Sequence, residues 1–287
     1  MKKNNATPLL GAHISGAGGL EEVFSRAESI NCATLQFFTK NNRQWQAKAL
    51  TQDQIDAFTK EHKRSPIKSL VGHASYLINN SSADTEIQQK SYHALCDELL
   101  RCEQLSVPLL VLHPGNCSSG TQEECLDLLI ASLDKALATT KTALSLEIMA
   151  GQGSSLCRSF EELGYIYKKL HKKHKNKIGI CFDTCHAFAA GYDFRTKKTY
   201  DSLWQQFDSI IGLHALSVIH LNDSKKECGS HVDRHENIGK GQLGLEPFRL
   251  IMNDPVLQDI PKILETPPGD LTTYAQDMQI LMGLIKK

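Results

Sequence analysis

Short apolar, β-branched runs alternate along the chain with longer segments whose apolar residues recur every three or four positions. Eight runs of the first kind fall at 9–14, 33–38, 70–73, 109–113, 144–148, 178–183, 216–221 and 263–265. Each has the length and composition of a strand buried on both faces. Segments of helical period fall at 19–29, 52–63, 86–103, 123–137, 160–171, 202–213, 246–252 and 274–285. Thr51 with Asp53, and Thr121 with Glu124, mark two helix starts, because their side-chain oxygens can take up the free N–H groups of a first turn. Strand-helix alternation predicts βα units on a parallel sheet. Eight such units in 287 residues predict an α/β fold of the (β/α)8 TIM-barrel type, with 1–287 as a single domain. The longest irregular stretches, 79–84, 151–155, 188–200 and 224–244, all follow strands. They belong to the rim where such barrels carry their chemistry.

The strand ends change the picture from fold to function. Successive runs close on His73, His113, Glu147, Asp183 followed by His186, His220, and Glu265. The loop after the seventh run adds Asp233 and His235. One histidine at a strand end is ordinarily a hydrogen-bonded core residue. In a barrel, however, all strand C-termini converge on one rim, so residues roughly 35 to 45 positions apart become neighbours. Gathering these carboxylates and imidazoles without a cation would cost several kcal/mol in desolvation and like-charge repulsion. Five imidazoles and four carboxylates favour zinc or another borderline ion over magnesium or calcium. Nine ligands exceed the need of one zinc, so at least two metals are implied and three fit best. Multi-metal sites of this kind suit phosphoester hydrolysis.

Composition adds mainly exclusions. Lys+Arg and Asp+Glu both number 32, so no global basic field announces a nucleic-acid partner. Local basic stretches at 40–48, 168–177 and 195–198 read first as solvated faces. The nine cysteines are scattered without a CxxC pair, so reduced thiols are expected, with Cys181 and Cys185 as small buried hydrophobes. The apolar run in the first ten residues is too short for a signal peptide, and no 18-residue apolar stretch occurs. A cytoplasmic protein without membrane contact is expected, and its neutral charge and complete barrel predict a monomer.

Several strings also carry a resemblance. GAHISGAGGL (11–20), FFTKNNRQW (37–45), HASYLIN (73–79), LHPG (112–115), EIMAGQG (147–153), CFDTCHAFAAGYD (181–193), HLNDSKKECGSHVDRHENIGKG (220–241) and ETP (265–267) resemble the successive motifs of the endonuclease IV family of abasic-site endonucleases. The likeness spans nearly the whole chain, and the sixth and seventh strings are its most specific parts. It implies three zinc ions: His73 and His113 with Glu147 on the first; Glu147, Asp183, His220 and Glu265 on the second; His186, Asp233 and His235 on the third. It also implies hydrolysis of the phosphodiester 5′ to an abasic site in duplex DNA by a zinc-bound hydroxide, leaving a 3′-hydroxyl and a 5′-deoxyribose phosphate, with trimming of blocked 3′ ends. Glu147 and Glu265 are then the catalytic carboxylates that orient the nucleophile. Arg43, Tyr76 and Leu77 match positions that penetrate the duplex at the lesion, where a wedge replaces lost stacking. His13 is expected to stand behind the ligands or to be structural. The enzymatic rival is a sugar isomerase or epimerase, whose barrels also gather Glu, Asp and His at strand ends. A non-catalytic lesion-binding protein with structural zinc is the other.

Overall fold

The computed structural model describes residues 8–286. Its strands are β1 (Leu10–His13), β2 (Thr34–Phe38), β3 (Ser69–His73), β4 (Leu109–Leu112), β5 (Ala143–Glu147), β6 (Ile178–Asp183), β7 (Leu216–Leu221), β8 (Asp223–Ser224), β9 (His235–Glu236) and β10 (Lys262–Leu264). Eight of them pair in parallel into a closed barrel in the order β1-β10-β7-β6-β5-β4-β3-β2, as expected of a TIM barrel. The helices are α1 (Glu22–Ser29), α2 (Gln52–Arg64), α3 (Thr85–Gln104), α4 (Gln122–Thr139), α5 (Phe160–His174), α6 (Thr184–Ala190), α7 (Lys197–Ile210), α8 (Glu246–Asn253) and α9 (Leu271–Gly283). Thr51 and Thr121 each cap a helix through a reciprocal capping box, with Gln54 and Glu124 returning the bond.

Strand alternation explains how the barrel positions its rim. Val71, Val111, Cys181, Val218 and Ile263 form a buried apolar layer inside the barrel. Two residues further on, inside the strand or one residue past its end, stand His73, His113, Asp183, His220 and Glu265. With a period of two, each of these points to the same interior, one layer above the plug. Glu147 stands likewise two residues beyond the buried Ser145. The apolar faces of the outer helices pack on the opposite face of the sheet around Phe24, Phe58, Phe160, Phe207 and Phe248.

The differences from expectation are local. The helix expected at 202–213 starts earlier, at Lys197, because Thr196 caps it and Thr199 completes the box. The loop expected at 188–200 is shortened by α6, and 224–244 contains the β8–β9 ladder. One expectation is overturned: Cys117 and Cys125 form a disulfide, whereas all nine cysteines were expected as thiols. The chain turns back through Gly120, at φ +83°, and so lays Cys117 against the first turn of α4, with a Cα–Cα distance of 5.6 Å. Cys181 and Cys185 are buried as expected, and burial pushes both thiols up to about 12. Among the described residues, no helix is long and apolar enough to cross a membrane.

Candidate metal centre

Glu147, wholly buried at the end of β5, is the hub. Its Oε2 lies 3.5 Å from His73 Nε2 and 3.3 Å from His113 Nε2. Its Oε1 lies 3.1 Å from His186 Nδ1 and 3.2 Å from His220 Nδ1. The same His220 nitrogen stands 3.2 Å from Glu265 Oε2 and 3.7 Å from Asp183 Oδ2. On the outer side, Asp233 meets His186 Nε2 at 3.2 Å and His235 Nε2 at 3.4 Å. All nine candidate ligands read from the sequence therefore share one pocket. Ligand atoms within 4.8 Å of one another group as His73–His113–Glu147, as Glu147–Asp183–His220–Glu265, and as Asp183–His186–His235. Asp233 is the most exposed of the nine, at 39% of its side chain.

Local structure fixes each ligand. β6 runs into α6 without a loop: Asp183 is the N-cap, and its Oδ1 accepts the His186 N–H at 2.7 Å. Its Oδ2 accepts from Asn222 Nδ2 at 2.6 Å. His235 is held by the β8–β9 ladder, where it pairs with Ser224. That ladder depends on Asp223, whose carboxylate accepts the N–H groups of Gly239, Gly241 and Leu243. Residue 241 must be glycine, because a Cβ there would lie 2.4 Å from both Asp223 Oδ1 and Ser224 O.

The hydrogen bonds behind the ligands decide which nitrogen faces inward. His73 Nδ1–H donates to Ala74 O at 2.7 Å, His186 Nδ1–H to Ile148 O at 3.0 Å, and His235 Nδ1–H to Glu265 O at 3.3 Å. The Nε2 atoms of all three are buried and have no hydrogen-bond partner, and neither has Glu147 Oε2. His220 is reversed: its Nε2–H donates to Gln36 Oε1 at 2.9 Å, turning Nδ1 toward the three carboxylates. Buried lone pairs aimed at carboxylate oxygens are unfavourable on their own and are satisfied by cations. The donor set, nitrogen and carboxylate oxygen in mixed groups of three and four, fits divalent borderline metals. The electrostatics agree. Burial opposes charge on Glu147, but His220 and His113 outweigh it and hold the carboxyl well below its ordinary range. Burial likewise opposes charge on His186, but Asp183 and Asp233 outweigh it and favour positive charge there, a demand that a metal ion at Nε2 would meet in place of a proton.

Two residues at this site were not singled out in the sequence. Gln36, buried on β2, donates through Nε2 to Glu265 Oε1 at 2.7 Å and to His13 Nδ1 at 2.9 Å, besides accepting from His220. Asn222 joins Asp183 to the Glu265 backbone N–H, which it accepts at 2.9 Å. A polar residue inside the run TLQFF was the available signal for the first, and adjacency to His220 for the second. His13 stands behind Glu265, its Nδ1 3.3 Å from Oε1.

Around the mouth, Tyr76 is 56% exposed, with its ring centroid 5.4 Å from that of His73 and 5.3 Å from that of His113. Leu77 beside it is half-buried, and Arg43 is exposed on the loop after β2. A cavity of 810 Å³ opens next to His13 and Phe38, between the loops after β1 and β2.

The barrel with its rim of inward-facing ligands is of the class described as "Xylose isomerase-like TIM barrel", whose family model matches residues 24–283. A probable endonuclease 4 of Trichlorobacter lovleyi is 44% identical over 264 residues, covering 91% of this chain and 93% of its own. An apurinic-apyrimidinic endonuclease of Caenorhabditis elegans is 39% identical, covering 98% of this chain and 71% of its own. The crystal structure of endonuclease IV from Thermus thermophilus superimposes with a TM-score of 0.84 at 33% identity, over 96% of this chain and 98% of the other. The chain belongs to the endonuclease IV family.

Proposed function

We propose that this protein is a zinc-dependent DNA-repair endonuclease that cleaves the phosphodiester 5′ to abasic sites in duplex DNA, leaving a 3′-hydroxyl and a 5′-deoxyribose phosphate, and that it also trims blocked 3′ ends. The reading rests above all on one observation: buried imidazole nitrogens without partners converge with carboxylates at an open barrel mouth. His73, His113 and Glu147 would hold one zinc, Glu147, Asp183, His220 and Glu265 a second, and His186, Asp233 and His235 a third. Bound zinc would supply charge neutralisation for the phosphodiester and make water acidic enough to attack near neutral pH.

The chain's own residues orient and select. Glu147 and Glu265 flank His220 from two sides, and Gln36 fixes the Glu265 carboxylate from behind. Both carboxylates would orient a nucleophile above the apolar plug. Tyr76, packed beside His73 and His113 at the mouth, with Leu77 next to it and Arg43 on the loop after β2, would form the wedge that enters the duplex, where a missing base costs least to unstack. The membership of the family and the names of its relatives support an endonuclease over a sugar isomerase. A monomer is sufficient for this site, since every ligand comes from one chain.

The deciding experiment is incubation of the zinc-loaded protein with a duplex bearing one tetrahydrofuran abasic analogue. Single incision with a 3′-hydroxyl product is expected, and Glu147→Gln should slow it at least about a thousandfold. An intact duplex together with ketose–aldose interconversion would replace this function with that of the isomerases.

A further inference from the structure

The loops after β2 and β3 carry Arg43 on one side and Tyr76 with Leu77 on the other, and a buried charged cluster on α3 joins them. Lys40, at the start of the first loop, has only 2% of its side chain exposed, and Glu98 on α3 only 1%. Lys40 Nζ lies 3.5 Å from Glu98 Oε1 and 3.4 Å from Asp97 Oδ2, and donates to Trp45 O at 2.9 Å. Both Glu98 oxygens stand 3.2 Å from the Ser75 backbone N–H, which they accept. Ser75 in turn donates its hydroxyl to Asn42 O at 2.7 Å and accepts the Leu77 N–H at 3.2 Å. One turn further along α3, Arg101 donates to Lys48 O from both terminal nitrogens, at 3.2 and 3.1 Å.

From this arrangement we propose that Lys40 and Glu98 are positioning residues for lesion recognition: their buried pair fixes the Arg43 loop and the Tyr76–Leu77 loop in mutual register before DNA arrives. Stability does not account for such a pair, since apolar residues of similar size fill a buried space at least as well. Burial pushes the Glu98 carboxyl up to about 7 even with Lys40 beside it, so the pair pays heavily in desolvation. What the pair adds is fixed geometry. Each partner binds backbone of one of the two loops that carry Arg43 and Tyr76–Leu77, and loops ordered in advance bind without the entropy cost of ordering. The three ligand groups of the metal centre include neither Lys40 nor Glu98.

The inference rests on the proposed function, and the test separates the two. Wild type and Lys40→Met, both zinc-loaded, are compared for kcat and KM on the tetrahydrofuran duplex, for binding of the same duplex without a lesion, and for zinc content. Trp45 emission is followed in a Trp204→Phe background, since the chain has only two tryptophans. Lys40→Met should raise KM about tenfold or more with kcat nearly unchanged. Zinc content and binding of the intact duplex should stay at wild-type values, and Trp45 emission should shift to the red. Wild-type KM in the variant, or a fall in kcat and zinc content at constant KM, overturns the inference. If wild type fails to cut the lesion duplex, the proposed function falls instead, and an unshifted Trp45 emission then overturns the positioning role by itself. Should Lys40→Met not fold, Glu98→Gln keeps the volume and the acceptor for Ser75 and is read by the same measurements.

Discussion

Gln36 illustrates how much a single uncharged side chain governs at this centre. Its amide touches His220, Glu265 and His13 at once, so it sets which His220 nitrogen faces the carboxylates and where Glu265 points. Partners behind metal ligands typically contribute about 10- to 100-fold in affinity. Gln36→Leu should therefore weaken retention of the metal that His220 and Glu265 would hold by about 10- to 100-fold, measured by competition with a chelator, while leaving the fold intact. Retention equal to wild type would show that His220 keeps its orientation unaided. Six of the nine candidate ligands were legible because barrel strands end on one rim and each is chemically conspicuous; His186, Asp233 and His235 were read from the segments that follow β6 and β7. Gln36 was not, because a polar residue inside an apolar strand gives no sign of whether it faces the barrel interior or a helix. Arg43, Tyr76 and Leu77 were proposed from the motif alone; strand counting says nothing about loop residues.

Among the elements, those with a clean period were readable and those without were not. The barrel strands and the long helices follow hydrophobic repeats, and they lie close to where the pattern put them. α6 escaped because it is buried all round except at its last residue, which erases the polar face that betrays a helix. The β8–β9 ladder has only two residues per strand, too few for any alternation. Yet that ladder places His235, and it leans on residue 241. Gly241→Ala should disturb the ladder at a cost of about 1–3 kcal/mol. The same variant should retain about one metal fewer by elemental analysis, since His235 and Asp233 share that loop. Full metal content with a lowered melting temperature would mean that the loop finds its ligand geometry without the ladder.

For the whole molecule, the barrel carries its charged ligands at the upper end and a buried ammonium at the lower. Lys262 opens β10 there, 1% exposed, and donates to Leu257 O at 2.5 Å and Ile260 O at 2.9 Å. Burial lowers its pKa from 10.5 to about 8. Below pH 8 both folded and unfolded chains carry the proton, and between about 8 and 10.5 the unfolded chain binds more, so stability rises with pH across that window. The gain at the upper limit is about 3 kcal/mol. Lys262→Met should lack this rise when denaturant midpoints of the two proteins are compared from about pH 7 to 10.5, whereas parallel curves would show that Lys262 titrates normally. The closed topology was legible because eight βα units were countable. The Cys117–Cys125 bridge was not, because pairing depends on a turn at Gly120 that brings together two residues eight apart.

Closure itself joins the first strand to the last, Leu10 opposite Lys262 and Ala12 opposite Leu264. A chain emerging from the ribosome makes its N-terminal parts first. Seven strands of this sheet therefore wait with two unpaired edges until 262–264 appear. Glu265 follows immediately, so the group it shares with Glu147, Asp183 and His220 is the last to be assembled. Barrel closure and completion of the central candidate ligand set thus come in one step, and a chain cut short of β10 lacks both.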